Sequence, residues 1–174
     1  MSQITVKLPD GSERSVAAGT PVLDVARGIS PRLADAAIAA KVGDRLVDLT
    51  YPLNADASVQ VITNKSPEAL EVTRHSTAHL MAAAVTALFP NAQCGIGPPT
   101  DEGFFYDFIV DRPLVPEDLD RIEAKMREIA AQGYVYERQL WPRVEAIEFF
   151  KKRGEPLKVQ LIEEKTAGQS QVSV

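Results

Sequence analysis

Two histidines, His75 and His79, are the side chains of this sequence best suited to chemistry near neutral pH. They are the only histidines among its 174 residues, and they are four residues apart. Imidazole titrates near neutral pH and is the commonest metal ligand in proteins. On a helix, residues at i and i+4 project from the same face. The spacing therefore predicts two imidazoles close enough to share a water molecule, a metal ion or a substrate.

Three roles remain open for this pair when only the residues are considered. The histidines could be structural, with their ring nitrogens satisfied by hydrogen bonds. They could bind a metal ion, although Ser76 stands where zinc proteases carry a glutamate base, and the single cysteine, Cys94, does not complete a set of four ligands. They could also activate water and position a substrate without a metal.

Tyr106 and Lys158 are two further candidates, each with an ordinary structural alternative. Tyr106 lies in an apolar run after a glycine-rich loop, so it could be a core tyrosine with a bonded hydroxyl or the wall of a pocket. Lys158 lies in a segment that alternates apolar and polar residues. This alternation predicts a strand with Lys158 facing solvent, whereas a lysine that faces a cleft could stabilise an anion.

Composition excludes several classes of protein. A hydrophobic content of 45% and a charged content of 25% are typical of a soluble globular protein. No apolar run approaches the ~20 residues that span a bilayer, and the first residues lack the pattern of a signal peptide. One cysteine excludes an internal disulfide and suits a reducing compartment. We therefore expect a cytoplasmic protein with no membrane partner.

The net charge of −5 argues against an autonomous nucleic-acid binder, which usually carries a basic excess. The one tight basic cluster comprises residues 151–153, Lys-Lys-Arg. These cations could form a solvated helix end, where they complement the helix dipole. They could also contact RNA.

The first 63 residues predict a small domain of β-grasp type. Thr20 as N-cap and Pro21 at the first helical position predict a helix whose buried side chains include Val22 and Val25. Around this helix, the alternation of apolar and polar residues at 4–8 and the turn signals between segments predict strands. These strands comprise residues 4–8, 13–17, 37–41, 45–49 and 58–63.

A polar linker then begins a second domain, residues 64–174. Ser66 as N-cap and Pro67 predict a long helix that runs to about Phe89 and carries both histidines. Small residues on the histidine face of this helix leave room beside the imidazoles. The other predicted elements are helices at 116–132 and 142–153 and strands at 104–110, 157–162 and 172–174. The predicted fold class is α+β, a β-grasp domain followed by an α+β domain whose long His-bearing helix packs on an antiparallel sheet.

Several of these segments resemble known domains. Residues 8–12, Leu-Pro-Asp-Gly-Ser, and the helix that follows them resemble the TGS domain. Residues 74–80 (Arg-His-Ser-Thr-Ala-His-Leu), 96–98 (Ile-Gly-Pro) and 103–108 (Gly-Phe-Phe-Tyr-Asp-Phe) resemble the editing domain shared by threonyl- and alanyl-tRNA synthetases. The order of the two domains is that of bacterial-type threonyl-tRNA synthetases, and the resemblance covers essentially the whole chain.

The resemblance implies an enzyme family that attaches threonine to tRNA(Thr) using ATP. This region would contact tRNA and hydrolyse mischarged seryl-tRNA(Thr). His75 and His79 would position the terminal ribose and the attacking water, and Lys158 would contact the substrate or stabilise negative charge. Tyr106 would line the pocket. Phe105 stands where a tyrosine is common in the family, so no role is carried over to it.

The resemblance also implies parts that these 174 residues do not contain. They are a second editing motif, Cys-x3-His, a catalytic domain that binds ATP, threonine and zinc, and an anticodon-binding domain. We therefore expect the N-terminal region of a synthetase, ending within the editing domain, with no cofactor of its own and little hydrolysis by itself. The parent protein is expected to be a homodimer. The alternatives are a non-catalytic RNA-binding module and a stand-alone, metal-binding protein of deacylase type.

Overall fold

The computed structural model describes residues 2–174, whose backbone forms two compact units. The first unit extends to Thr73, and the second runs from Arg74 to Val174. The division falls inside the histidine-bearing helix, whereas the domain boundary predicted from the sequence lies between residues 63 and 64. That boundary stays a prediction.

The first unit has the architecture of a β-grasp. Its elements in chain order are β1 (Gln3–Lys7), β2 (Glu13–Ala17), β3 (Thr20–Pro21), α1 (Val22–Ile29), α2 (Pro31–Ala36), β4 (Ala37–Val42), β5 (Arg45–Val47), β6 (Pro52–Leu53) and β7 (Ala57–Thr63). The main sheet has the strand order β2-β1-β7-β4-β5. β1 runs antiparallel to β2 and parallel to β7, and β7 runs antiparallel to β4. The predicted strands and helix are therefore present.

The core of this unit follows from the two-residue period of its strands. Ile4 and Val6 of β1 and Val59 of β7 point to the same buried side, because alternate side chains of a strand share a face. Val22 and Val25 of α1 pack against them. Burial of this apolar surface is the main stabilising contribution to such a unit.

The beginning of α1 differs from the prediction. Thr20 does not cap the helix: Thr20 and Pro21 pair with β6 as a short strand, and α1 begins at Val22. The hydroxyl of Thr20 donates instead to the carbonyl oxygen of Ala17, at 2.7 Å. Pairing with β6, which is distant in the sequence, therefore outweighs the local tendency of these two residues to begin a helix.

The second unit contains the histidine pair. The histidine-bearing helix is α3 (Ala69–Leu88), and the elements after it are β8 (Gln93–Cys94), β9 (Phe108–Ile109), α4 (Pro116–Ala131), β10 (Leu140–Pro142), α5 (Arg143–Lys152), α6 (Pro156–Lys165) and β11 (Gln171–Ser173). β8 pairs antiparallel with β9, and β10 pairs antiparallel with β11. The predicted α+β class is therefore confirmed. Within residues 2–174, no helix is both long and apolar enough to cross a membrane.

One face of α3 packs on α4 and on the β8–β9 hairpin. Ala84 and Val85 of α3 form a buried cluster with Ile122 of α4, and Met126 and Phe108 pack against it. Phe108 belongs to β9, so the small antiparallel sheet also packs against this core. The packing leaves the opposite face of α3, with the two histidines, directed away from the core.

Residues 157–162 form a helix, so the predicted strand was wrong. They lie within α6, which has Pro156 in its first turn, where the missing N–H of proline has no cost. Val159 and Ile162 are three residues apart and therefore share one face of a helix as readily as alternate residues share one face of a strand. This ambiguity of short apolar patterns explains the error.

Candidate active site

His75 and His79 stack on the exposed face of α3. The centroids of their rings are 4.9 Å apart, and the ring planes differ by 21°. Both side chains are exposed to solvent. Helical spacing of four residues thus brings the two imidazoles side by side, with their edges open to an approaching molecule.

The surroundings of His79 favour its neutral form. Although much of the His79 side chain is exposed, desolvation of the remainder lowers its pKa, and the nearby charges of His75 and Lys158 lower it further. A neutral imidazole keeps one nitrogen lone pair that can accept a proton from water. His79 is therefore suited to act as a base near neutral pH.

A cleft of about 840 Å³ begins one turn further along α3. The helix lines it with Ala82, Ala83 and Thr86, and Lys158 of α6 and Cys94 of β8 contribute from other elements. The small side chains of α3 make room for it. The volume is in the range of small-molecule sites, which are usually 300–1,000 Å³.

Lys158 and Tyr106 meet in this cleft, although 52 positions separate them in the chain. The Lys158 ammonium donates to the Tyr106 hydroxyl at 3.4 Å. The ring of Tyr106 stacks on Phe108, with 5.0 Å between centroids, which anchors the phenol to the core. Lys158 thus faces the cleft, and its ammonium group is available to an anionic ligand.

The glycine-rich loop before β9 accommodates the ring of Tyr106. A Cβ atom at Gly97 would overlap the Cδ2 atom of Tyr106, so any side chain there would displace the ring. The backbone N–H of Gly95 donates to the carbonyl oxygen of Asp107 at 2.8 Å, and the N–H of Asp107 donates to the carbonyl oxygen of Ile96 at 3.0 Å. These two hydrogen bonds join the backbone next to Tyr106 to the loop.

Two further contacts hold the segment of α3 around the histidines. The Arg74 guanidinium donates to the carbonyl oxygens of Thr100 and Asp101, at 2.9 and 2.8 Å, and so ties the loop to the helix. The Tyr136 hydroxyl donates to the carbonyl oxygen of Ser76 at 3.2 Å. The sequence pattern did not indicate either contact.

Cys94, Arg153 and Glu155 also line the cleft, and the sequence interpretation assigned them no catalytic role. Burial raises the pKa of the Cys94 thiol, and Glu155 raises it further, whereas Lys158 lowers it. A thiol with a raised pKa stays protonated and is a weak nucleophile at neutral pH. Arg153 and Glu155 lie at the turn between α5 and α6, where the helix predicted for residues 142–153 ends. The sequence did not indicate that this turn lies beside Cys94.

The arrangement can perform acid–base chemistry, and it provides an ammonium group that can stabilise a negative charge. Among residues 2–174, no three His, Cys, Asp or Glu side chains lie close enough to hold a metal ion, so a metal at the histidine pair would have two protein ligands. A neutral imidazole can take a proton from water. A partly desolvated ammonium can stabilise an oxyanion that forms as water attacks a carbonyl group.

Comparison with known proteins gives one family match and several similar relatives. Residues 4–63 match the TGS domain family. The chain is 54% identical over 164 residues to a threonine--tRNA ligase of Citrifermentans bemidjiense, a match that covers 94% of this chain and 26% of the relative. It is 51% identical over 167 residues to a threonine--tRNA ligase of Pelobacter propionicus, a match that covers 96% of this chain and 26% of the relative. It is also 51% identical over 158 residues to a threonine--tRNA ligase of Methylococcus capsulatus, with 91% of this chain and 25% of the relative covered.

This chain therefore spans about 26% of the length of the curated relatives it matches. The similarity is to the N-terminal part of bacterial threonine--tRNA ligases. The predicted TGS domain and the predicted resemblance to bacterial threonyl-tRNA synthetases are thereby confirmed, and the assignment of the second domain to editing stays a prediction.

Proposed function

We propose that this chain forms the TGS and editing region of a threonine--tRNA ligase, an aminoacyl-tRNA synthetase that attaches threonine to tRNA(Thr) with ATP. Identity of 54% over 94% of the chain to a ligase of that name supports this. The region contacts tRNA(Thr) in the cytoplasm and removes serine from mischarged seryl-tRNA(Thr). It needs no cofactor of its own. ATP and zinc serve other parts of the ligase, which works as a homodimer.

Editing is needed because serine and threonine differ by one methyl group. A methyl group in a binding pocket discriminates by only ~1–3 kcal/mol, or roughly 10–200-fold. A synthesis site alone therefore releases some tRNA(Thr) that carries serine. A second, hydrolytic site that removes the serine raises the accuracy of the product.

The proposed reaction is hydrolysis of the ester between serine and the terminal ribose. The water oxygen attacks the ester carbonyl carbon, and the bond from that carbon to the ribose oxygen then breaks. His79, kept neutral by its lowered pKa, takes one proton of the water and returns it to the ribose oxygen, and the second proton of the water is released to solvent from the new carboxyl group. His75, stacked 4.9 Å from His79, orients the ribose. Serine leaves with a free carboxylate.

Lys158 stabilises the oxyanion that forms on the carbonyl oxygen. The single observation that carries this role is the 3.4 Å contact between the Lys158 ammonium and the Tyr106 hydroxyl, inside a cleft that begins one turn beyond His79. The contact holds the ammonium in the cleft before any substrate binds. Such preorganisation is usually a large part of catalysis at acyl centres.

A hydrolysis-resistant mimic of the substrate tests the proposal. We expect the chain to bind 3′-amino-3′-deoxyadenosine that carries serine in amide linkage, as measured by calorimetry. Replacing Lys158 by glutamine should weaken this binding roughly 10-fold, because the variant cannot form the charge-assisted hydrogen bond. Replacing the exposed Lys165, near the end of the same helix, should have no effect.

The same titration can contradict the proposal in two ways. Failure of the unsubstituted chain to bind the mimic would remove the basis for an editing pocket. Equal reductions in affinity in Lys158→Gln and Lys165→Gln would show that Lys158 has no special place in the site. Thermal melting of both variants confirms that each is folded at the temperature of the titration.

A further inference from the structure

The basic cluster at residues 151–153 has no part in the proposed chemistry, yet it lies at the margin of the cleft. Arg153 lines the cleft itself. Lys151 lines a second cavity of about 530 Å³. The two cavities adjoin, because three residues line both of them: Gln93, Gly154 and Glu155.

The guanidinium of Arg153 is held in place and is still able to bind a ligand. Its Nε–H donates to a carboxylate oxygen of Glu155 at 2.6 Å. The guanidinium carbon lies over the ring of Phe149, 5.4 Å from its centroid. Among the described residues, no hydrogen-bond acceptor engages its two terminal nitrogens. A guanidinium has five N–H donors, so most of them remain available.

We propose that Arg153, with Lys151 beside it, binds backbone phosphates of the tRNA acceptor strand at the rim of the cleft. This inference rests on the proposed editing function, since an aminoacyl-adenosine in the cleft is joined to the preceding nucleotide by a phosphodiester. The planar fork of a guanidinium matches two phosphate oxygens. Lys151, in the adjoining cavity, supplies a second positive charge along the same path.

The charged side chains that line the two cavities are three cations, Lys151, Arg153 and Lys158, and two carboxylates, Glu155 and Glu163, whereas the chain as a whole has a net charge of −5. Phosphate contacts must therefore come from particular cations and not from a general basic surface. Lys151 and Lys152 also lie in the last turn of α5, where cations stabilise the helix dipole. A purely helix-stabilising role would change the melting temperature without changing the affinity for RNA.

The test compares the affinities of the chain for two ligands. One is the seryl-amide adenosine described above, and the other is an acceptor-stem RNA hairpin that ends in the same seryl-amide adenosine. Arg153→Gln should lower the ratio of hairpin affinity to mimic affinity by roughly 10-fold at low salt, because the neutral glutamine cannot form a charged hydrogen bond with phosphate. The slope of log affinity against log salt should become shallower by about 0.7 for each single-strand phosphate that the variant no longer neutralises.

Two further variants separate a phosphate contact from indirect effects. Lys151→Gln leaves the pair of Arg153 with Glu155 intact, and it should also reduce the affinity ratio and the salt slope. Lys165→Gln removes one charge from an exposed position that lines neither cavity, and it should leave both unchanged.

Distinct results contradict the two proposals. Unchanged ratios and salt slopes in Arg153→Gln and Lys151→Gln would overturn the phosphate contact. If the unsubstituted chain binds the hairpin but not the mimic, the editing function fails. The salt slopes of the hairpin still decide whether Arg153 contacts phosphate.

Discussion

Several residues of the site are important because their side chains are small and leave room for other groups. Ala82 and Ala83 leave the cleft open beside α3. Gly97 admits the ring of Tyr106, with which a Cβ atom would overlap. Tyr106 then reaches Lys158, whose charge contributes to the lowered pKa of His79. A substitution of Lys158 should therefore change the protonation of His79.

The first prediction concerns the titration of His79. Replacing Lys158 by glutamine should raise the pKa of His79, because one positive charge that opposes imidazolium formation is removed. Burial and His75 remain, so the pKa should stay below its ordinary value of 6.5. NMR titration of the imidazole ring measures it. An unchanged midpoint in Lys158→Gln, or an equal rise in Lys165→Gln, would contradict the assignment.

The sign of the accompanying stability change follows from the direction of the shift. The folded state holds His79 at a pKa below 6.5, so the unfolded state binds more protons as the pH falls through that range. The stability associated with neutral His79 is therefore complete above pH 6.5 and decreases as the pH falls below it.

The turn between two helices brings residues from both of its sides into the cleft. Between α5 and α6, Gly154 adopts a φ of +70°, a conformation that glycine adopts without strain. Pro156 then begins α6, and the carbonyl oxygen of Glu155 accepts hydrogen bonds from the N–H groups of Lys158 and Val159. Arg153 and Lys158 thereby line the same cleft from either side of the turn.

The beginning of α4 depends on a buried carboxylate. Asp118 is 2% exposed and accepts hydrogen bonds from the Arg112 guanidinium at 2.6 Å and from the Val115 N–H at 3.1 Å. The guanidinium bond and then the backbone bond hold the pKa of Asp118 at about 2. This contribution to stability is complete above pH 3.8, the ordinary pKa, and is lost as the pH falls from there through about 2.

The second prediction follows from this carboxylate. Asp118→Asn should lower the melting temperature of the second unit at neutral pH. A neutral amide cannot form an ion pair with Arg112, and it brings no negative charge to the positive N-terminal end of the α4 dipole. The variant should also lose the part of the acid dependence that lies between pH 3.8 and about 2. Circular dichroism melts across this range measure both effects.

Asp120 provides the control, because it is an exposed aspartate on the same helix. Asp120→Asn should keep the melting temperature and the acid dependence of the unsubstituted chain. Identical behaviour of the two variants would show that burial of Asp118 does not determine its contribution.

At the scale of the whole molecule, the two compact units have different kinds of interior. The first unit has an apolar core formed by its sheet and α1, with Leu53 of β6 1% exposed within it. The second has a smaller core between α3 and α4 and a cleft lined largely by polar and small residues. Stability and chemistry therefore depend on different sets of residues.

The third prediction concerns the core of the first unit. Leu53→Ala should lower the free energy of unfolding of this unit by about 2–5 kcal/mol, because a buried side chain is replaced by a cavity. Leu46→Ala is the matched control, since Leu46 is 39% exposed, and it should change stability by no more than about 0.5 kcal/mol. Urea unfolding followed through the amide resonances of β7 measures both. Equal destabilisation by the two substitutions would contradict the assigned core.

Much of the fold was predictable from local patterns. The alternation in β1, the returning strand β2, the turn at Gly43 with its φ of +59°, and α4 all match the sequence prediction. The histidine pair was also predictable, because helical geometry alone brings His75 and His79 together. The contacts around it were less predictable, since the partners of Arg74 and Tyr136 lie far along the chain.

The sequence by itself determined the α+β class, the family resemblance and the side-by-side placement of the histidines. These properties depend on residue periods, turn chemistry and motifs of a few residues. Only the tertiary structure decided that residues 157–162 are helical, that Thr20 pairs with β6, and that Lys158 meets Tyr106. Each depends on partners far apart in the chain, and short apolar patterns do not distinguish helix from strand until those partners are in place.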